Sequence, residues 1–244
     1  MSEKNGNWWE FYGIRYAQGA VVGAMLIYLL FSQNATLKKV IFVPDRAADL
    51  SMAHLALLGV YGLAYCYIAS APILIMHAAR GLLYKSRLNR MPSTGWQYRL
   101  LFVLVTTLSL LAIYFTFVNQ EFMKLMAVGL FGFLISVQLI LIGEIFFLSW
   151  DKVIGYYELT VARRNDPMNL EFVESYKHIR EHGNSFLIVL FQFLLAVPIF
   201  VLVVLERDAE RSIANFLIII LFWIFPASLI WLFGNKLENH LELR

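Results

Sequence analysis

The chain has 244 residues, 60% hydrophobic and only 15% charged. Soluble domains carry about 25% charged residues, and a core of this length surrounded by water could not hide so much apolar surface, so lipid is the expected solvent. The net charge of +3 gives no electrostatic footprint for nucleic acid, and the single Cys66 excludes an intrachain disulfide.

Residues 1–14 hold Lys4, Trp8 and Trp9. Indole rings favour the membrane–water interface, which predicts a short N-terminal segment lying on the membrane surface, followed by one transmembrane domain over 15–244. No small-x-small site follows the apolar run Ala20–Phe31, so the start does not read as a cleavable leader.

Six apolar segments come next, at about 15–31, 52–84, 98–118, 124–150, 185–205 and 212–233. A span needs about 20 residues. The expected fold class is therefore all-α, a polytopic transmembrane helix bundle of about six spans. The second and fourth segments are too long to stop at the bilayer surface. From Leu125 to Ala162 a helix would run roughly 57 Å against a ~30 Å hydrocarbon core. Two helices are thus expected to project into the cytoplasm, the fourth ending before Pro167. Pro72, Pro198 and Pro226 predict kinks. Cytoplasmic connections are expected at about 85–97 and 151–184.

With six spans, fourteen Lys and Arg residues fall on the side of the termini and six on the other. Basic residues are retained in the cytoplasm, so both termini are predicted there.

The stretch from Gly129 to Asn184 concentrates the candidate sites. Gly129, Gly132, Ser136 and Gly143 lie within roughly 60° of one another on a helix. With Gly19 and Gly23, they are the oligomer-packing candidates. Small residues let backbones approach, within one chain or between copies. Glu144 near the inner end of the fourth span is an ion-path candidate, because an ionisable group there is costly unless it is used or reaches the headgroups. Asp151 and Glu158 extend it as an acidic stripe. Gln138 and Gln192 lie deeper, where an amide either bonds between helices or lines a pore.

Lys85, Arg87, Arg90 and Arg99 belong to a second loop without acids, a candidate seat for an anionic ligand beside its role as a topology signal. Glu174, His178 and His182 follow at i, i+4 and i+8. That spacing can grip a metal, but three aligned groups on one helix rarely converge on one ion, and a solvated face is the simpler reading. No metal and no cofactor are expected. Asn34-Ala35-Thr36 fits a glycosylation sequon. No P-loop, nucleophile elbow, dinucleotide fingerprint or paired-cysteine zinc pattern is present.

The compact length, the lack of catalytic motifs and the polar run Tyr176-Lys177-His178-Ile179-Arg180-Glu181-His182-Gly183-Asn184 before the fifth span resemble, in outline, small multi-pass bacterial membrane effectors of anti-phage defence systems. The resemblance implies a bacterial inner-membrane protein that forms a homo-oligomer and alters permeability when a soluble cytoplasmic partner or anionic ligand signals. It carries over no site residue. The expected function is a channel or pore-type effector gated from the cytoplasm. The alternatives are a small transporter or a membrane scaffold for a soluble partner, and, third, a membrane metalloprotein.

Overall fold

The computed structural model describes residues 8–40, 42, 44, 47–79, 103, 106, 107, 122–147 and 150–242. The described residues are almost all helical, without a strand. The helices are α1 (Trp8–Ser32), α2 (Ala35–Val40), α3 (Met52–Ala69), α4 (Ala71–Ala78), α5 (Phe122–Phe147), α6 (Trp150–Asn165), α7 (Leu170–Ile199) and α8 (Ala209–Glu242). Five stretches are long and apolar enough to cross a membrane: Gly13–Ser32, Met52–Ala78, Phe122–Gly143, Ile179–Val204 and Ala209–Asn239. The chain is a multi-pass integral membrane protein of the all-α class. The segment expected at 98–118 lies outside the described residues apart from three positions.

Helices are required here because lipid offers no partner for backbone N–H and C=O groups, so each must be satisfied within its own segment. α1 is unbroken from Trp8 to Ser32. The boundary expected at residue 14 therefore falls inside a helix. α3 starts at a cap: the Ser51 hydroxyl accepts from the His54 N–H at 3.3 Å, and His54 Nδ1 accepts from the Ser51 N–H at 3.1 Å. The expected kink near Pro72 is a break at Ser70, which ends α3 by donating to the Cys66 carbonyl at 3.0 Å. Proline lacks the N–H that would continue the ladder.

α6 ends at Asn165, just before Pro167 as the sequence predicts. Asn169 holds the turn, donating to the Arg163 carbonyl at 3.1 Å, while Asp166 Oδ1 accepts from the Met168 N–H at 3.0 Å. The polar run that follows is helical. It is the first part of α7, whose 30 residues continue into the fifth span without interruption.

Two compact units form, Met1–Ser70 with Arg180–Ile220, and Ala71–Ile179 with Leu221–Arg244. In the first, α1 crosses α3 at backbone contact. A Cβ placed on Gly62 would fall on the Ala20 carbonyl oxygen and the Ala24 nitrogen, and one on Gly23 would fall on the Gly62 carbonyl oxygen. Tyr16 and Tyr67 stack with centroids 4.6 Å apart, and Phe31 meets Phe216 edge-on at 5.6 Å. In the second unit, Ile75, Ala79, Ile142, Ile145, Ala227, Ile230 and Phe233 form the core, and Trp223 is fully buried beside Phe131 at 6.2 Å.

α7 widens after Pro198 into a π-helical turn, Phe200–Val204, closed by the Leu205 N–H on the Phe200 carbonyl at 3.1 Å. Pro226, by contrast, lies inside the uninterrupted α8.

Candidate functional site

The chemistry-bearing side chains of the first unit gather at two places. At the first, Gln192 on α7 is fully buried. Its Nε2 donates to the Gly19 carbonyl on α1 at 3.1 Å, and its own backbone carbonyl accepts from the Tyr65 hydroxyl on α3 at 2.7 Å. Its Oε1 is buried without a hydrogen-bond partner among the described residues. The site exists because Gly19 has no side chain: a Cβ there would fall on the Cys66 sulfur and stand 3.3 Å from Gln192 Nε2. Cys66 is a buried free thiol. Three helices thus converge on one amide, and Gly19 and Gly23 are used for packing within the chain.

At the second place, Asn34 joins two jobs. Its Oδ1 accepts from the N–H groups of Thr36 and Leu37 at 3.0 and 3.1 Å, capping α2. Its Nδ2 faces the end of the π turn, 3.3 Å from the carbonyls of both Val203 and Val204. Ser212 donates to Val203 at 2.9 Å and Asn215 to Leu202 at 2.8 Å. These side chains satisfy carbonyls that the end of α7 leaves open. Asn34 is 8% exposed and its amide is engaged inward, so the sequon is not presented for glycosylation.

In the second unit, Gln138 on α5 is buried. Its Nε2 donates to the Leu134 carbonyl of its own helix at 3.3 Å, and its Oε1 is buried without a partner among the described residues. Ser136 is fully buried and donates to the Gly132 carbonyl at 2.7 Å. Gly132 is also buried by the chain itself, whereas Gly129 and Gly143 are half-buried. The small-residue face therefore has open surface only toward its ends. Glu144 lies within α5 and Asp151 within α6, with side chains outside the described residues; Glu158 is exposed.

The basic residues Lys85, Arg87, Arg90 and Arg99 lie outside the described residues. Glu174 and His178 are on α7 with side chains outside them, and His182 is exposed. Among the described residues no three His, Cys, Asp or Glu side chains are grouped to hold a metal.

Sequence reading missed Gly62, the partner of Gly23, and the Asn34–Ser212–Asn215 cluster. Gly62 was discoverable as a glycine in an apolar span; nothing in the order of residues links Asn34 to Ser212 across 178 positions. Comparison with protein-family models, with curated proteins and with solved structures gives no match.

Proposed function

We propose that this membrane protein is a channel or pore-type effector, assembled from several copies and gated by a cytoplasmic ligand or partner. The observation supporting this reading is the register of α5. Met126 and Phe133 on that helix are 57% and 47% exposed. By sequence spacing alone, position 144 follows Phe133 by eleven residues, close to three full turns of an α-helix. A carboxylate at the end of a span is expensive against lipid. A second copy along this arc, with Gly129 at its edge, would instead place a ring of Glu144 carboxylates at a pore mouth, which favours cations. The anti-phage setting rests on the resemblance of the chain's outline alone.

The test uses a Phe133→Cys variant in a Cys66→Ser background, together with liposome flux. Cross-linked oligomers and altered cation flux in Glu144→Gln are expected. A protein that stays monomeric, or unchanged flux and selectivity in Glu144→Gln, would remove the reading.

A small transporter is the second reading, favoured by the interruption of the Met52–Ala78 span at Ser70, since broken spans accompany transport sites. Saturable uptake of one solute class in liposomes would distinguish it from a pore.

A further inference from the structure

Near its C-terminal end, α7 leaves the α-helical ladder. Over the π turn Phe200–Val204 the Leu205 N–H bonds the Phe200 carbonyl at 3.1 Å, where an α-helix would use the Val201 carbonyl. The turn therefore holds one residue more than an α-turn needs. Pro198 precedes it, but a proline does not by itself demand a wide turn, since Pro226 lies in the uninterrupted α8. Groups outside α7 keep the turn open.

Three side chains do this. Asn215 donates to the Leu202 carbonyl at 2.8 Å and the Ser212 hydroxyl to Val203 at 2.9 Å, while Asn34 Nδ2 lies 3.3 Å from the carbonyls of Val203 and Val204. Asn34 Nδ2 is also 3.5 Å from the Glu206 carbonyl and from the Ser212 hydroxyl oxygen. An amide nitrogen carries two protons, so two donors face four acceptors. Asn34 can exchange partners at little cost, while its Oδ1 stays fixed by the N–H groups of Thr36 and Leu37.

The sequence of the turn permits a change of register. Phe200-Val201-Leu202-Val203-Val204-Leu205 is apolar at every position. Advancing it by one residue, roughly 100° and 1.5 Å along an α-helix, puts no polar side chain into lipid, and lipid is as apolar as the protein interior. Hydrogen bonds balance: the Leu205 N–H leaves the Phe200 carbonyl for that of Val201, and the Phe200 carbonyl takes the Val204 N–H.

We propose that Phe200–Val204 is a two-register joint, latched in its π form by Asn34 and closing to an α-turn when Asn34 lets go. The corner after it is stiff. The Glu206 carboxylate accepts from the Arg207 and Asp208 N–H groups, the Asp208 carboxylate from the Arg211 N–H, and the Asp208 carbonyl from the Ser212 N–H. Closure of the joint thus carries the start of α8 with it. The joint requires no pore and stands apart from the proposed function.

The test reads the distance between spin labels at Met25→Cys on α1 and Arg207→Cys in the corner, both exposed, in the full chain with Cys66→Ser in nanodiscs. The parent should show one main distance and a minor second one. Asn34→Ala should raise the second population about fivefold, the factor for losing one hydrogen bond. Asn215→Val, which removes the donor to Leu202, should shift it the same way and serves if Asn34→Ala does not fold. Deleting Leu202 from the Asn34→Ala chain takes away the spare residue, so the second distance should vanish. Should that deletion not fold, amide exchange decides. The Leu205 N–H is bonded in both registers and should stay protected in Asn34→Ala. The same single distance in the parent and both latch variants would overturn the proposal. So would a second distance that survives the deletion, or Leu205 exchange at the unfolded rate, which would mean fraying of α7.

Discussion

The Tyr65 hydroxyl on α3 donates to the backbone carbonyl of Gln192 on α7 at 2.7 Å, while the Gln192 amide reaches the Gly19 carbonyl on α1 at 3.1 Å. One residue thus ties three helices. Interhelical hydrogen bonds of this kind contribute about 0.6 kcal/mol on average in membrane proteins, so Tyr65→Phe should lower the unfolding temperature in detergent only slightly. Gln192→Leu removes a donor together with the buried Oε1 that has no partner among the described residues. An unsatisfied buried group costs about 1–3 kcal/mol, so this variant should be as stable as the parent or more so. A loss of several degrees would show that Oε1 has a partner in the working protein. Preserved stability with lost flux would give Gln192 a functional role.

The α1–α3 crossing makes a sharper prediction, because it rests on glycines in different surroundings. Gly62 has backbone atoms of Ala20 and Ala24 where a Cβ would go, whereas Gly59, one turn earlier on α3, has no atom of the described residues within 4 Å of that position. Alanine is the better helix former by about 1 kcal/mol. Gly59→Ala should therefore be neutral or stabilising. Gly62→Ala must separate two backbones and should cost about 1–3 kcal/mol, the usual penalty of overpacking. Thermal unfolding of both variants in the same detergent measures the difference. Equal melting of the two would mean that the close crossing does not exist.

Hydropathy made the spans legible, because lipid demands continuous apolar helix and each of the five found begins or ends close to a change in residue polarity. It could not separate a helix boundary from a polarity boundary. The run before Ser185 turns polar while the backbone of α7 continues unbroken from Leu170, so the helix face expected at Glu174, His178 and His182 and the apolar fifth span belong to one helix. Pro72 announced an interruption, yet the break sits at Ser70, where the helix can still close on the Cys66 carbonyl. The small-residue spacing of Gly19 and Gly23 was visible, but the partner that occupies it is a tertiary fact. The same holds for Asn34, whose sequon pattern describes a surface residue and whose amide is turned inward.

Asn34 yields the third prediction. Its side chain caps α2 and stands against the last carbonyls of α7, so Asn34→Ala should lose a cap, about 1 kcal/mol, and leave buried carbonyls with fewer donors. Asn34→Asp keeps the cap but points a second oxygen at the Val203 and Val204 carbonyls, and should be the more damaging change. Thermal unfolding ranks them. Expression in a glycosylating host should give no mass increase attributable to Asn34; a glycan there would contradict the inward-facing amide.

The last prediction concerns orientation. The distribution of Lys and Arg places fourteen on one side of a six-span arrangement and six on the other, and the richer side is retained in the cytoplasm. The native Cys66 is fully buried, which makes the parent a quiet background for thiol labelling. Single cysteines at Ser93, in the basic second loop, and at Ala209, the exposed first residue of α8, then report the two sides. A membrane-impermeant maleimide applied to intact cells should label Ala209→Cys and leave Ser93→Cys untouched until the membrane is opened. The reverse pattern would invert the protein and move Glu144 to the outer mouth, where a cytoplasmic ligand has no access to it. Labelling of both positions from outside would mean that an even number of crossings, two rather than three, separates them, and would exclude the segment at 98–118 as a span.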